Sequence, residues 1–302
     1  MLGIALMLGF CSMAPVADAI AKLLGETIPL GQLLFVRFAT QGGILLLVVW
    51  FSGRSLMMSR RVFWLSTWRT LLHIAGIAAM FSSLRFLPLA DAIAIAFVMP
   101  FILLLIGKLF LNERVGPYRL GGCIVGFSGS LLVIKPSFAS VGLPALLPLV
   151  VAFTFAFFIL VTRQIARDID PVSLQAANGL LGALILFIGF WLWPVADWPA
   201  FQWVHAGQLE TMLLAAVGIL GTVAHLLMTW SLRFAPSATL APVQYVEIPL
   251  AALVGWLVFA DLPDGQAAVG IGIIFAAGLF VVFREHLIAR QLKQVGRPSP
   301  GL

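Results

Sequence analysis

Apolar positions in this chain fall into ten long runs, separated by short stretches of charge, proline and glycine. The runs lie near 2–24, 30–52, 64–86, 89–110, 118–135, 142–163, 172–193, 210–233, 238–260 and 267–288. Each is about 20 residues, the length that carries a helix across roughly 30 Å of hydrocarbon. Polar and apolar positions do not alternate within them, so the pattern of a barrel strand is missing. Helix is then the structure that satisfies its own backbone in lipid. The first run starts at the second residue, but it has no basic segment before it and exceeds an ordinary signal-peptide core. It is predicted to remain as the first span.

The pattern also repeats. Residues 83–90 read SLRFLPLA and residues 231–238 read SLRFAPSA, an offset of 148. At about that spacing Gly122 matches Gly270, Leu131 matches Leu279 and Glu113 matches Asp261, with one residue of slip between Pro100 and Pro249. Upstream, Lys22 matches Arg163 and Pro29 matches Pro171 at offsets of 141–142. The predicted units are a first five-helix repeat over 1–137, a second over 138–290 and a tail over 291–302. Five is odd, so the second copy enters the membrane upside down. The expected fold is an all-α integral membrane protein of ten helices, two inverted repeats enclosing a central cavity, the geometry of alternating access.

Charge gives a direction. The even-numbered connections and the tail contain thirteen Lys and Arg, among them Arg54, Arg60, Arg61, Arg163 and Arg233; the odd connections contain Lys22, Arg85 and Lys135. That bias predicts both termini in the cytoplasm. Apolar residues make up 62% of the chain and charged residues 10%, against about 45–50% and 25% in soluble domains, which excludes a water-soluble globule. The pI near 10 comes from scattered basic residues, which suit the anionic inner leaflet and not nucleic acid. Cys11 and Cys123 both fall in spans and are expected to be free thiols. No nucleotide-binding motif is present, the four histidines are dispersed, and no metal-ligand spacing occurs; neither cofactor nor metal is expected. A membrane-embedded transferase is the rival class. The Asp261–Asp264 pair lacks the neighbouring acids and bases that metal-diphosphate chemistry needs.

Several motifs occur together: a turn with Arg85, Phe86 and Pro88 opening span four, Pro100 within it, and NERVGPYRLGG leading into a span with Gly122, Gly126 and Gly129. With Arg37 in span two, the chain resembles EamA-type members of the drug/metabolite transporter superfamily over residues 1 to about 288. The second half departs from the pattern: Asp261 stands near the motif's Glu, and the counterpart of Arg37 falls near Asn178–Gly179, uncharged. The resemblance implies a bacterial inner-membrane exporter or exchanger of amino acids, nucleosides, sugar phosphates or drugs. Its layout is nearest to the aromatic amino-acid exporters. It implies walls from spans one, three, four, six, eight and nine. A monomer or weak homodimer acting on a small-molecule substrate within the lipid bilayer is expected.

Ionisable groups within spans cost at least about 2.5–3.5 kcal/mol unless they face protein or water, so each is a candidate. Gln244 and Glu247 share a face of span nine between Pro242 and Pro249, with Glu247 roughly 13 Å along the helix. Its mate in the first copy is Met99. Thr222, His225 and Thr229 form a polar stripe on span eight. His225 is expected to bind substrate, relay protons or bond to another helix. His73 shares a face with Arg69, which lies close enough to the end of span three to snorkel. Phe153 and Phe157 on span six offer an apolar wall. The candidate substrate residues are therefore His73, Phe153, Phe157, His225, Thr229, Gln244 and Glu247. Asp18, Lys22, Arg37, Pro88, Pro100, Pro236 and Pro249 are candidates for structural or gating roles. Asp18 and Lys22, four apart, form an expected intrahelical pair; Arg37 is expected to pair with a carboxylate or carbonyls.

Overall fold

A computed structural model describes residues 2–110, 117–165, 168–192, 199–234, 240 and 243–294. Glu113, Trp193, Trp198, Pro236, Pro242 and the end of the tail lie outside the described residues, as does the side chain of Cys123. The fold is all-helical, with ten spans in two inverted five-helix repeats.

The helices are α1 (Leu2–Leu24), α2 (Leu30–Phe51), α3 (Arg60–Ser83), α4 (Leu89–Ala96), α5 (Met99–Phe110), α6 (Pro117–Val141), α7 (Leu147–Ile165), α8 (Pro171–Leu192), α9 (Gln208–Phe234), α10 (Glu247–Phe259) and α11 (Gly265–Gln294). Local chemistry sets several starts. Ser59 accepts from the Val62 amide and opens α3; Asp170 accepts from the Val172 and Ser173 amides just before Pro171 opens α8; Asp264 accepts from Ala267 and opens α11. These are ordinary N-caps, each satisfying a helix donor that has no intrahelical partner. Gly142, at φ 69°, joins the two repeats in a backbone region that favours glycine.

Six of the described helices are long and apolar enough to cross a membrane on their own hydropathy. Helix α3 has the length, 24 residues, but not the hydropathy, because Ser66, Arg69, Thr70 and His73 interrupt it. All four are buried against protein, which removes the cost of placing them in lipid.

The fourth span is two helices, α4 and α5, broken by a turn at Phe97–Val98. Span nine breaks likewise at Tyr245–Val246, before α10. The two breaks stand 148 residues apart in sequence, and the Phe97 and Tyr245 rings touch with centroids 5.1 Å apart. Pro100 and Pro249 follow the breaks. Each lacks the N–H that would continue the ladder across them.

Packing follows the repeat. Helix α1 packs on α9, α3 on α7, α2 on α8, α4 on α10 and α6 on α11. Exchanging the copies turns the first pairing into the second and leaves α2–α8 and α6–α11 unchanged. Helices α2 and α8 cross so closely that a Cβ on Gly179 would overlap the Gly42 backbone. Gly129 lies against Gly270 across the α6–α11 contact, where a Cβ would stand 2.8 Å from the Gly270 carbonyl oxygen. These small residues permit close helix approach without a large apolar side chain between.

Candidate solute cavity

Between the repeats lies a cavity of about 100 Å³, taken as the space open to the centres of water molecules. One water needs about 10–15 Å³ on this measure, so there is room for several waters or part of an organic solute. Its walls come from α1, α3, the α4–α5 break, α7, α9 and span nine, with Arg37 added from α2. Most of the lining is apolar, including Phe10, Phe81, Phe97, Phe155, Met80 and Met99. Set into it are Asp18, Arg37, His225, Gln244 and Glu247.

The predicted residues separate into groups. His225, Gln244 and Glu247 line the cavity. His73 is fully buried one layer behind, its ring centroid 4.5 Å from that of His225. Thr229 turns away into the α8 contact, where it accepts from Gln175 at 2.6 Å and donates to the His225 carbonyl at 2.8 Å. Phe153 and Phe157 are 54% and 42% exposed on the outer face of α7, and the ring that reaches the cavity from this helix is Phe155. Gly76 makes room for it, since a Cβ there would stand 2.6 Å from the Phe155 ring. In a helix that is apolar all round, hydrophobicity does not mark the inward face.

The pair expected between Asp18 and Lys22 does not form. Lys22 bonds to Asp261 at 3.1 Å and to the Leu87 carbonyl at 3.0 Å, and lies 4.6 Å from the Phe259 ring centre. Asp18 instead faces the cavity that Arg37 also lines. Arg69 does not snorkel: it is fully buried, donating to Thr162 at 2.8 Å and Asn178 at 2.9 Å, with its guanidinium 4.2 Å from the Phe158 ring centre. Asp91 accepts from Ser137 and makes no cap bond to α4. Pro88 stands at the start of α4, Pro100 in the first turn of α5 and Pro249 in that of α10. The missed features had a sequence signal: Asp18, Arg37 and Arg69 are charges deep in apolar runs, and only the packing of other helices shows that the first two face the cavity and that Arg69 is bonded to α7 and α8.

Ion pairs join the copies at both ends of the bundle. At one end stands Lys22–Asp261. At the other, Arg54 meets Asp170 at 2.6 Å and Arg61 meets Asp168 at 3.0 Å, while Arg233, from the same copy as Asp170, approaches it at 3.8 Å. Partial burial pushes the Asp170 carboxyl up, but bonds from Arg54 and the Ser173 and Val172 amides more than offset it and hold the group below the usual carboxylate range.

The model of the EamA-like transporter family matches residues 1–135 and again residues 142–283. The chain belongs to the EamA-like transporter family. It is 30% identical over 227 residues to a riboflavin transporter of Rhizobium johnstonii, a match covering 74% of this chain and 71% of that one. It is 24% identical over 268 residues to an S-adenosylmethionine uptake transporter of Rickettsia felis, covering 89% and 88% of the two. A pseudopaline exporter of Pseudomonas aeruginosa is 26% identical over 266 residues, covering 87% and 89%. A crystal structure aligns over 94% of this chain and 96% of its own, with TM-score 0.68 at 18% identity, which shows the shared fold. The chain is thus a multi-pass membrane transporter. The named relatives do not single out aromatic amino-acid export, so that narrower assignment does not follow from membership.

Proposed function

We propose that this protein is a secondary transporter of the inner membrane that exports or exchanges small amphipathic metabolites by alternating access, with both termini in the cytoplasm. Amino acids bearing an apolar or aromatic side group are the proposed substrate class. The observation that carries this reading is the cavity: aromatic and Met side chains surround it, while one guanidinium and two carboxylates, Arg37 against Asp18 and Glu247, interrupt it. Such a lining suits a molecule with an apolar body and opposite charges. Sugar phosphates are disfavoured, because a dianionic phosphate calls for clustered Arg and Lys. The names of the relatives fit an amphipathic solute. S-adenosylmethionine is itself an amino acid carrying a purine, and riboflavin carries a flat ring.

A second reading, transport of a neutral ring compound such as riboflavin, is favoured by the aromatic walls and by the relative that is 30% identical. Counterflow into liposomes containing the purified protein separates the two. Phenylalanine, tryptophan, S-adenosylmethionine, riboflavin and a hexose phosphate would each be offered, and the solute recovered chemically unchanged. Preference for the amino acids supports the first reading, riboflavin alone supports the second, and tight preference for the hexose phosphate sinks both. The orientation is tested by Leu56→Cys and Ser140→Cys, which should react with an impermeant thiol reagent from opposite sides.

A further inference from the structure

Three buried nitrogens beside the cavity have no partner among the described residues: Arg37 Nη1, His225 Nδ1 and His73 Nε2. They belong to three helices, α2, α9 and α3, and their residues are 3%, 5% and 0% exposed. Buried polar groups are nearly always bonded, and each exception needs an explanation.

The protonation of His73 follows from its neighbours. The Asn178 side-chain oxygen accepts from Arg69 at 2.9 Å and Thr70 at 3.3 Å. A guanidinium only donates, so the amide cannot be reversed. Asn178 Nδ2 therefore donates to His73 Nδ1, 2.9 Å away. That nitrogen is unprotonated, and the proton of the neutral ring sits on Nε2, where nothing accepts it. His225 stands 4.5 Å away, ring to ring. Arg37 reaches the same stretch of α9 one turn earlier, packed on Gly221. A Cβ at that glycine would stand 2.9–3.0 Å from the guanidinium atoms.

We propose that Arg37, His225 and His73 form a subsite for a carboxylate, which accepts from Arg37 Nη1, from His73 Nε2 and from His225 in the tautomer that carries its proton on Nδ1. The planar guanidinium suits a two-oxygen acceptor. Asp18 and Glu247, on α1 and α10, line the same cavity and take the cationic end of the same solute. Arg69, held by Thr162 and Asn178, adds positive field from behind. The carboxylate is the solute's own or a free small anion. This rests on the reading of the cavity as the solute's site, and it narrows the substrate to zwitterions.

The test is ¹⁵N NMR of the full-length protein, purified in detergent with labelled histidine. Acetate, 3-phenylpropionate, phenethylamine and phenylalanine are added in turn. The three carboxylates should shift His73 and His225 but not the exposed His205; phenethylamine should not shift the histidines. Arg37→Gln should weaken 3-phenylpropionate binding about 10- to 100-fold, the range for loss of a charge-assisted hydrogen bond. Gly221→Ala keeps every polar group and crowds the guanidinium, so it should weaken binding in the same direction and serves if Arg37→Gln does not fold. Tighter binding of phenylalanine than of acetate supports the subsite as the solute's own; equal affinity supports it as a site for free anions. Carboxylates that leave both histidines unmoved, or that bind both variants as tightly as the wild type, overturn it. Histidine shifts without phenylalanine counterflow leave the subsite standing and sink the amino-acid reading. Counterflow without shifts sinks the subsite alone.

Discussion

The same helix crossing is made twice in this molecule, and the two versions are filled differently. Helix α3 crosses α8, and its repeat mate α9 crosses α2. On α3, Thr70 and His73 hold Asn178, and Arg69 joins them from the same helix. The positions 148 residues on are Gly218 and Gly221. Across from these glycines stand Thr40 and Arg37, so close that a Cβ on Gly218 would lie 2.6 Å from the Thr40 Cβ. One crossing thus places bulky polar side chains on the third helix of one repeat and a short amide on the second helix of the other. The other crossing reverses this, with bare backbone on the third helix and a long cation on the second. The first arrangement is a brace of hydrogen bonds centred on Asn178. The second leaves Arg37 at the cavity wall with a free N–H. Symmetry builds the scaffold, and its local failure supplies the proposed site.

Breaking the brace should give the largest change. Asn178→Leu removes a hydrogen-bond partner from the buried Arg69 guanidinium and from His73 together, and unfolding in detergent should become easier by about 3 kcal/mol or more, since both buried groups are left short of a bond. A loss under about 0.5 kcal/mol would show that the network adds nothing to stability.

Glu247 tests the opposite wall of the site. Glu247→Gln keeps shape and removes charge, so counterflow should fall at least about tenfold, the weight of one charged contact, with an unchanged unfolding midpoint. Normal transport together with easier unfolding would make Glu247 a structural acid.

The apolar wall separates two phenylalanines two residues apart. Phe155→Ala should cost about 3 kcal/mol of stability and reduce solute affinity. Phe153→Ala, on the outer face, should stay within about 0.5 kcal/mol in both measurements. Equal effects would mean that the phase of α7 is misplaced.

The smallest effect concerns how the second helix of each copy begins. Asp170 caps α8 before Pro171, whereas Ile28 precedes Pro29 at the start of α2. The folded-state carboxyl of Asp170 lies below its ordinary value. Its contribution is therefore present above the unfolded pKa of about 3.9 and is lost as pH falls through the lower folded one. At this exposed rim it should not exceed about 1 kcal/mol. Asp170→Asn should remove it and flatten stability against pH below about 4; an unaltered acid limb would assign the loss to other carboxylates.

The sequence made the scaffold legible because apolar run length and the 148-residue repeat both report on it directly. The polar side of the cavity was legible too, since His225, Gln244 and Glu247 stand out against apolar surroundings. Three things were hidden. Asp18 has Lys22 one helical turn away, and only the meeting of distant helices shows that Lys22 bonds Asp261 instead. Phe155 is indistinguishable from Phe153 and Phe157 in a helix apolar on every side. Gly221 reads as one of many glycines until Arg37 is seen lying on it. Each is a contact between segments far apart in sequence, which helical periodicity does not encode.

The central claim, that the asymmetric crossing of α2 and α9 forms the solute site, is tested most directly by phenylalanine counterflow through Gly221→Ala beside the wild type. One methyl group is added and no polar group is changed. The account predicts at least about a tenfold loss of transport, the weight of a displaced charge-assisted contact, with an unfolding midpoint shifted by only a few degrees. Transport equal to the wild type, with Arg37 still packed against α9, would contradict it.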